Sequence, residues 1–175
     1  MLDPAFALVL RGGLALLFAA AAWHKLRDLA AFRAALGEYQ LLPEAGIGLA
    51  SRALVGLELV TAGMLALSTS GGLPAAALLA VYTAAIGVNL ARGRREIDCG
   101  CFGPAARQPL SYGLALRNAG LLLLALAAAL PAAPRMLVWL DGFTIAAGIA
   151  LGALLHAALN TLLANAPRLR ALRDS

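Results

Sequence analysis

Residues 73–103 read LPAAALLAVYTAAIGVNLARGRREIDCGCFG. An uncharged, largely apolar run from Leu73 to Ala91 ends abruptly at Arg92, Arg94 and Arg95, and the cysteines of the chain, Cys99 and Cys101, follow one residue apart. As a helix the run is about 28 Å long, close to the roughly 30 Å of hydrocarbon in a bilayer. The arginines mark where it leaves the apolar layer. The stretch therefore predicts a membrane-crossing helix with a cysteine pair at its end.

The same solvent is implied for the rest of the chain. Of its 175 residues 62% are hydrophobic and 13% charged, with a mean hydropathy of +0.83. Soluble domains are nearer half apolar and a quarter charged. In lipid every backbone N–H and C=O must be satisfied within the protein, which leaves helices or closed barrels. No ten-residue alternating segments suggest a barrel. The predicted fold is an all-α integral membrane helical bundle forming one membrane domain over residues 1–175. Its five predicted spans are 4–23, 47–67, 73–91, 111–130 and 136–163. The first reads as a retained span and not a cleaved signal. Asp3 replaces the expected early basic residue, Arg11 interrupts the run, and the basic cluster comes after it.

Between the first two spans, Leu29, Phe32, Leu36 and Tyr39 recur at helical spacing. They predict a short amphipathic helix, interfacial or simply connecting, ended by Pro43. Basic residues alternate by loop. Lys25, Arg27, Arg33, Arg92, Arg94, Arg95, Arg107, Arg168, Arg170 and Arg173 fall on one side, and Arg135 falls on the other. The positive-inside rule then puts the N-terminus outside, the C-terminus in the cytoplasm and the cysteines at the cytoplasmic end. The net charge of +5 belongs to this topology. No basic stripe with interleaved aromatics points to nucleic acid.

Thiolate is the reactive form of cysteine. The flanking arginines favour it, while the like charge of Asp98 opposes it. Asp98 is also a candidate for moving a proton during exchange. A Cys99–Cys101 disulfide closes a very small ring, and Gly100 supplies the backbone freedom such a ring demands. That suits reversible electron transfer better than locking a fold. Two other readings compete. Paired thiolates also suit soft copper or mercury ions, although the chain offers no second cysteine pair and His24 and His156 are its only histidines. In the third reading the cysteines are incidental in a non-enzymatic assembly subunit.

Polar residues within the spans are uneven. Arg52, Asn89, Arg117, Asn118, His156 and Asn160 all lie toward the predicted cytoplasmic ends, which predicts a polar pocket beneath the cysteine loop. Arg117 is expected either to steady a thiolate or to snorkel to lipid phosphate. Glu58 sits nearer mid-membrane, and Arg11 is its expected partner. Gly12, Gly13, Gly56, Gly63, Gly148 and Gly152 are expected to allow close helix contact.

The segment RGRREIDCGCFG followed by LSYGLALRNAGLLLLA resembles the MauE family of DoxX-like membrane proteins. The likeness is carried by Cys99-Gly100-Cys101-Phe102-Gly103, by Arg117-Asn118, and by an earlier stretch with Lys25, Phe32 and Leu42-Pro43. The resemblance implies a multi-pass protein of the bacterial inner membrane linked to disulfide chemistry in methylamine dehydrogenase maturation. It also implies a thioredoxin-fold partner outside the membrane. Cys99 and Cys101 are the implied reactive pair, and the resemblance assigns no other residue a chemical role; Asp98, Gly100, Phe102, Gly103, Arg117 and Asn118 are expected in support from their own chemistry and position. No bound cofactor or metal is implied. An external partner conflicts with an internal cysteine loop, and three routes reconcile them. The loop dips into the bundle, the partner supplies a second pair, or a quinone takes the electrons within the membrane.

Overall fold

The structure is a computed structural model that describes residues 1–100 and 108–173, with side chains to residue 166. Cys101, Phe102 and Gly103 lie outside the described residues. Six α-helices are described: α1 (Pro4–Arg27), α2 (Leu29–Glu38), α3 (Glu44–Leu67), α4 (Gly72–Ala91), α5 (Tyr112–Ala128) and α6 (Trp139–Arg173). A 3₁₀ turn at Thr69–Gly71 joins α3 to α4. No strand is formed among the described residues, only the isolated bridges Leu2–Ala132 and Asp98–Pro109.

The helix ends follow from local chemistry. Asp3 caps α1 by accepting from the amide of Ala5 at 2.9 Å, with Pro4 opening the helix. Asp28 ends α1 and caps α2 through Ala31, also at 2.9 Å. Ser111 caps α5 through Leu114 at 3.2 Å. Helix α2 does not run to Pro43 as predicted. The chain leaves α2 at Tyr39, Gln40 takes a left-handed conformation (φ 49°), and Pro43 instead forms the N-cap of α3. Proline lacks an amide hydrogen and is well tolerated where a helix begins.

The longer helices alternate in direction. Arg11 near the start of α1 meets Leu65 near the end of α3. At Gly72, where α4 starts, an added Cβ would lie 2.5 Å from the backbone nitrogen of Ala129, just after α5. Gly113 at the start of α5 lies against Leu163 late in α6. The Asp3 cap, the 3₁₀ turn and the α5–α6 link thus share one end of the bundle. Helix α2 and the cysteine loop share the other. A core of Leu10, Leu14, Phe18, Leu65, Leu79 and Ala125 ties α1, α3, α4 and α5 together.

Helix α6 leans on α1. A Cβ at Gly12 would lie 2.5 Å from Ile149 Cδ1, and one at Gly148 would lie 2.9 Å from Val9 Cγ2. These two glycines permit the close approach expected of small residues. Gly13, Gly56, Gly63 and Gly152 have no such neighbour. The rest of α6 turns Trp139, Phe143, Leu151, Leu154 and Leu162 outward. So large an apolar surface suits lipid and not water. The chain is an all-α, multi-pass membrane bundle. Helices α1, α4 (with its 3₁₀ turn), α3 and α6 are each long and apolar enough to cross a membrane. The predicted fourth span, 111–130, forms α5, a shorter apolar helix of 17 residues, about 25 Å.

Candidate functional site

The cysteine loop leaves α4 and returns to α5 through a short antiparallel stem. The amide of Cys99 donates to Gln108 O at 3.0 Å, and that of Leu110 donates to Ile97 O at 3.1 Å. Asp98 holds the stem from within. Its Oδ1 accepts from the amides of Gly100 and Gln108, both at 3.2 Å. The described role of Asp98 is therefore to shape the loop. Gly100 has φ +70°, a conformation that costs other residues about 1–2 kcal/mol. A Cβ there would also lie 3.1 Å from that of Ala35. The sequence expectation that Gly100 supplies an unusual backbone angle matches this geometry.

Cys99 is 8% exposed and packs with Tyr39, Ile86, Leu90, Ile97, Leu110 and Leu114. The Tyr39 hydroxyl donates to its carbonyl at 3.4 Å. Helix α2 therefore folds back over the loop and contributes to the pocket around the sulfur.

Arg117 and Asn118 brace the stem from α5. Arg117 Nη1 donates to Gln108 Oε1 at 3.4 Å and to Asn160 Oδ1, and Nη2 donates to Asn118 Oδ1 at 3.3 Å. Gln108 Nε2 donates to the backbone oxygen of Asn160 at 3.4 Å. This is the polar pocket predicted beneath the loop, and it links α5 and α6 to the residue that pairs with the Cys99 amide. Arg52, expected in the same group, is exposed, which fits snorkelling. Asn89 is buried and donates to Ala85 O within its own helix, at 3.1 Å. Among the described residues no group of three or more His, Cys, Asp or Glu side chains is placed to hold a metal.

The expected Arg11–Glu58 pair is overturned. Arg11 Nε donates to Leu65 O at 3.1 Å, and Glu58 pairs with Lys25. Helical side chains lean toward the N-terminus of their own helix. Lys25, in the last turn of α1, therefore leans back into the bundle. Glu58, on antiparallel α3, leans toward it. Both are buried, at 4% and 1% exposure, and the Tyr82 hydroxyl donates to the same Glu58 oxygen at 2.7 Å. The ammonium also lies 4.9 Å from the Phe32 ring centre and 5.1 Å from that of Tyr82. Sequence reasoning counted Lys25 as a loop charge and so missed this centre. A carboxylate in mid-span and the chain's single lysine were the available signals.

Lys25, Phe32, Tyr82 and Cys99 all line one cavity of about 380 Å³ between α2, α3 and α4. Fold and site thus define a multi-pass helical bundle that presents a cysteine from a braced loop, beside a buried ion pair.

Residues 3–133 match the family described as Methylamine utilisation protein MauE, and the chain belongs to that family. It is 41% identical over 138 residues to the Methylamine utilization protein MauE of Paracoccus denitrificans, covering 76% of this chain and 74% of the relative. The protein of the same name from Paracoccus versutus is 43% identical over 136 residues, covering 75% and 73%. That of Methylorubrum extorquens is 39% identical over 137 residues, covering 75% and 74%. No solved structure matches the chain. The family match takes in α1 to α5, and α6 lies beyond it.

Proposed function

We propose that this protein is a methylamine-utilisation accessory protein of the bacterial inner membrane that carries out thiol–disulfide exchange with a thioredoxin-fold partner. The names of its relatives support the first part. One observation carries the second: Cys99 sits on a two-rung stem at a bundle end, followed by left-handed Gly100 and, in sequence, by Cys101. A stem fixed by backbone bonds holds one sulfur, and a glycine with positive φ separates it in sequence from the second.

In the exchange one thiolate attacks the partner's disulfide and a mixed disulfide forms. The second thiolate then displaces the partner, which leaves reduced. The Cys99–Cys101 bond is made as the partner's bond is broken, so electrons balance. The forward sequence delivers reducing equivalents to the partner, and the reverse sequence delivers a disulfide to it. Arg117, Asn118 and Asp98 are positioning residues in this scheme, because they act on the stem. The excess of arginine at this end supports a cytoplasmic loop, with the N-terminus outside.

Cys99→Ser and Cys101→Ser variants in membranes, each incubated with thioredoxin-fold proteins, test the proposal. One variant is expected to accumulate a reductant-sensitive mixed disulfide. Failure of both to trap a partner, with full growth on methylamine when the double variant replaces the native gene, refutes it. Labelling with a membrane-impermeant maleimide in intact cells and in inverted vesicles reports the sidedness.

A further inference from the structure

The cavity beside Cys99 has a chemical character that thiol exchange alone does not use. Its walls are mainly apolar, built from residues such as Leu36, Leu54 and Ile86. Its outer lining includes Leu41, Leu42 and Ala53, which are exposed on α3 and on the link that precedes it. An apolar rim of this kind on a membrane bundle admits ligands from lipid and not from water. At about 380 Å³ the space falls within the range of small-molecule sites, about 300–1,000 Å³.

The polar features narrow the ligand. An ammonium has three N–H donors, and Lys25 gives one to Glu58. Its charge is already balanced by that carboxylate, so the site suits a neutral hydrogen-bond acceptor better than an anionic headgroup. The Phe32 and Tyr82 rings line the same space and favour a flat ring. Cys99 lines it too. A neutral, flat, carbonyl-bearing, lipid-soluble molecule beside a reactive thiol is a two-electron acceptor of the quinone class.

We propose that this cavity binds the ring of an isoprenoid quinone and that the quinone accepts electrons from the Cys99–Cys101 dithiol. The electron-transfer half rests on the thiol–disulfide reading above. The two thiols lose two protons and two electrons as the S–S bond forms. The quinone takes both pairs and becomes the quinol, so no further co-reactant is needed. Lys25 donates a hydrogen bond to one quinone oxygen, where negative charge builds during reduction, and Glu58 holds the ammonium in place. Such a route removes electrons within the membrane, without a second cysteine pair in the chain.

The test uses the full-length protein in lipid nanodiscs, with decylubiquinone as probe. The pre-reduced protein is expected to convert the quinone to quinol in equimolar amount, followed by ultraviolet absorbance. Apparent quinone affinity is expected to fall about tenfold in Ala53→Trp, which obstructs the cavity. The same fall is expected in Lys25→Met/Glu58→Met, which removes the donor and its counter-charge together; tenfold is the scale of one buried hydrogen bond. Equal affinity in wild type and both variants overturns the site. Quinone binding that depends on the cavity, with no reduction although the wild-type dithiol exchanges with a thioredoxin-fold partner, overturns electron transfer and spares the exchange. Cavity-dependent binding with neither reduction nor exchange overturns the thiol reading instead.

Discussion

The Lys25–Glu58 pair offers the sharpest test of the bundle. Both groups are at least 96% buried, so both have lost nearly all solvation. Two unit charges about 4 Å apart attract by about 4 kcal/mol at an effective dielectric near 20. That gain, with the hydrogen bond from Tyr82, offsets much of a desolvation penalty of several kcal/mol per ion. The net value of the pair is therefore small, but the value of each member given the other is large. Lys25→Met leaves Glu58 with the Tyr82 hydroxyl and no counter-charge, and is expected to cost about 3–5 kcal/mol. Lys25→Met/Glu58→Met removes both charges and is expected to recover most of that loss. The assay is unfolding in mixed micelles with increasing denaturing detergent, followed by far-ultraviolet circular dichroism. A Lys25→Met cost below about 1 kcal/mol, or a double variant no better than the single, refutes the buried-pair account.

Gly100→Ala should cost about 1–2 kcal/mol for the left-handed backbone alone, and more from the contact with Ala35. The same substitution should slow closure of the Cys99–Cys101 bond, read by quenched alkylation after oxidant addition. At the opposite end, Arg135 donates to Asp3 at 2.8 Å and to Asp141 at 2.8 Å. Its hydrogen bond is the main cause holding the Asp3 carboxyl below the ordinary value of 3.8. A depressed folded-state value means that the contribution of Asp3 is present above 3.8 and is lost as pH falls through the lower, folded value. Arg135→Gln should move the Asp3 titration, followed by carboxyl NMR shifts, back toward 3.8. It should also speed hydrogen exchange at the amide of Leu2, which pairs with Pro131 O.

Much of the fold was legible because a bilayer imposes simple rules. Long uncharged runs must be helices, and arginines mark their ends, so α1, α3, α4 and α6 were readable to within a few residues apart from the extension of α6. Helix α5 was readable as an apolar helix, and at 17 residues it is shorter than the other long helices. The end of α2 was misread because Pro43 can close one helix or open the next, and local sequence does not distinguish the two. Cys99 and Gly100 could be singled out because their chemistry is intrinsic to residue type. Arg11 was assigned to Glu58 because both are charged residues within spans, and one-dimensional position says nothing of which faces meet.

By itself the sequence determined that lipid is the solvent, that the chain crosses it as helices, and that a thiol pair sits where the arginines end the third apolar run. Those facts follow from composition and from the order of residues along one strand of chain. Tertiary structure alone decided that Lys25 reaches Glu58, that Gln108 and Arg117 brace the cysteine stem, and that α2 folds over Cys99 beside an apolar cavity. Each of these depends on the rotation of one helix about its axis relative to another. Packing fixes that rotation through the direction in which side chains lean, and hydropathy, which counts residues without regard to the face they occupy, does not record it.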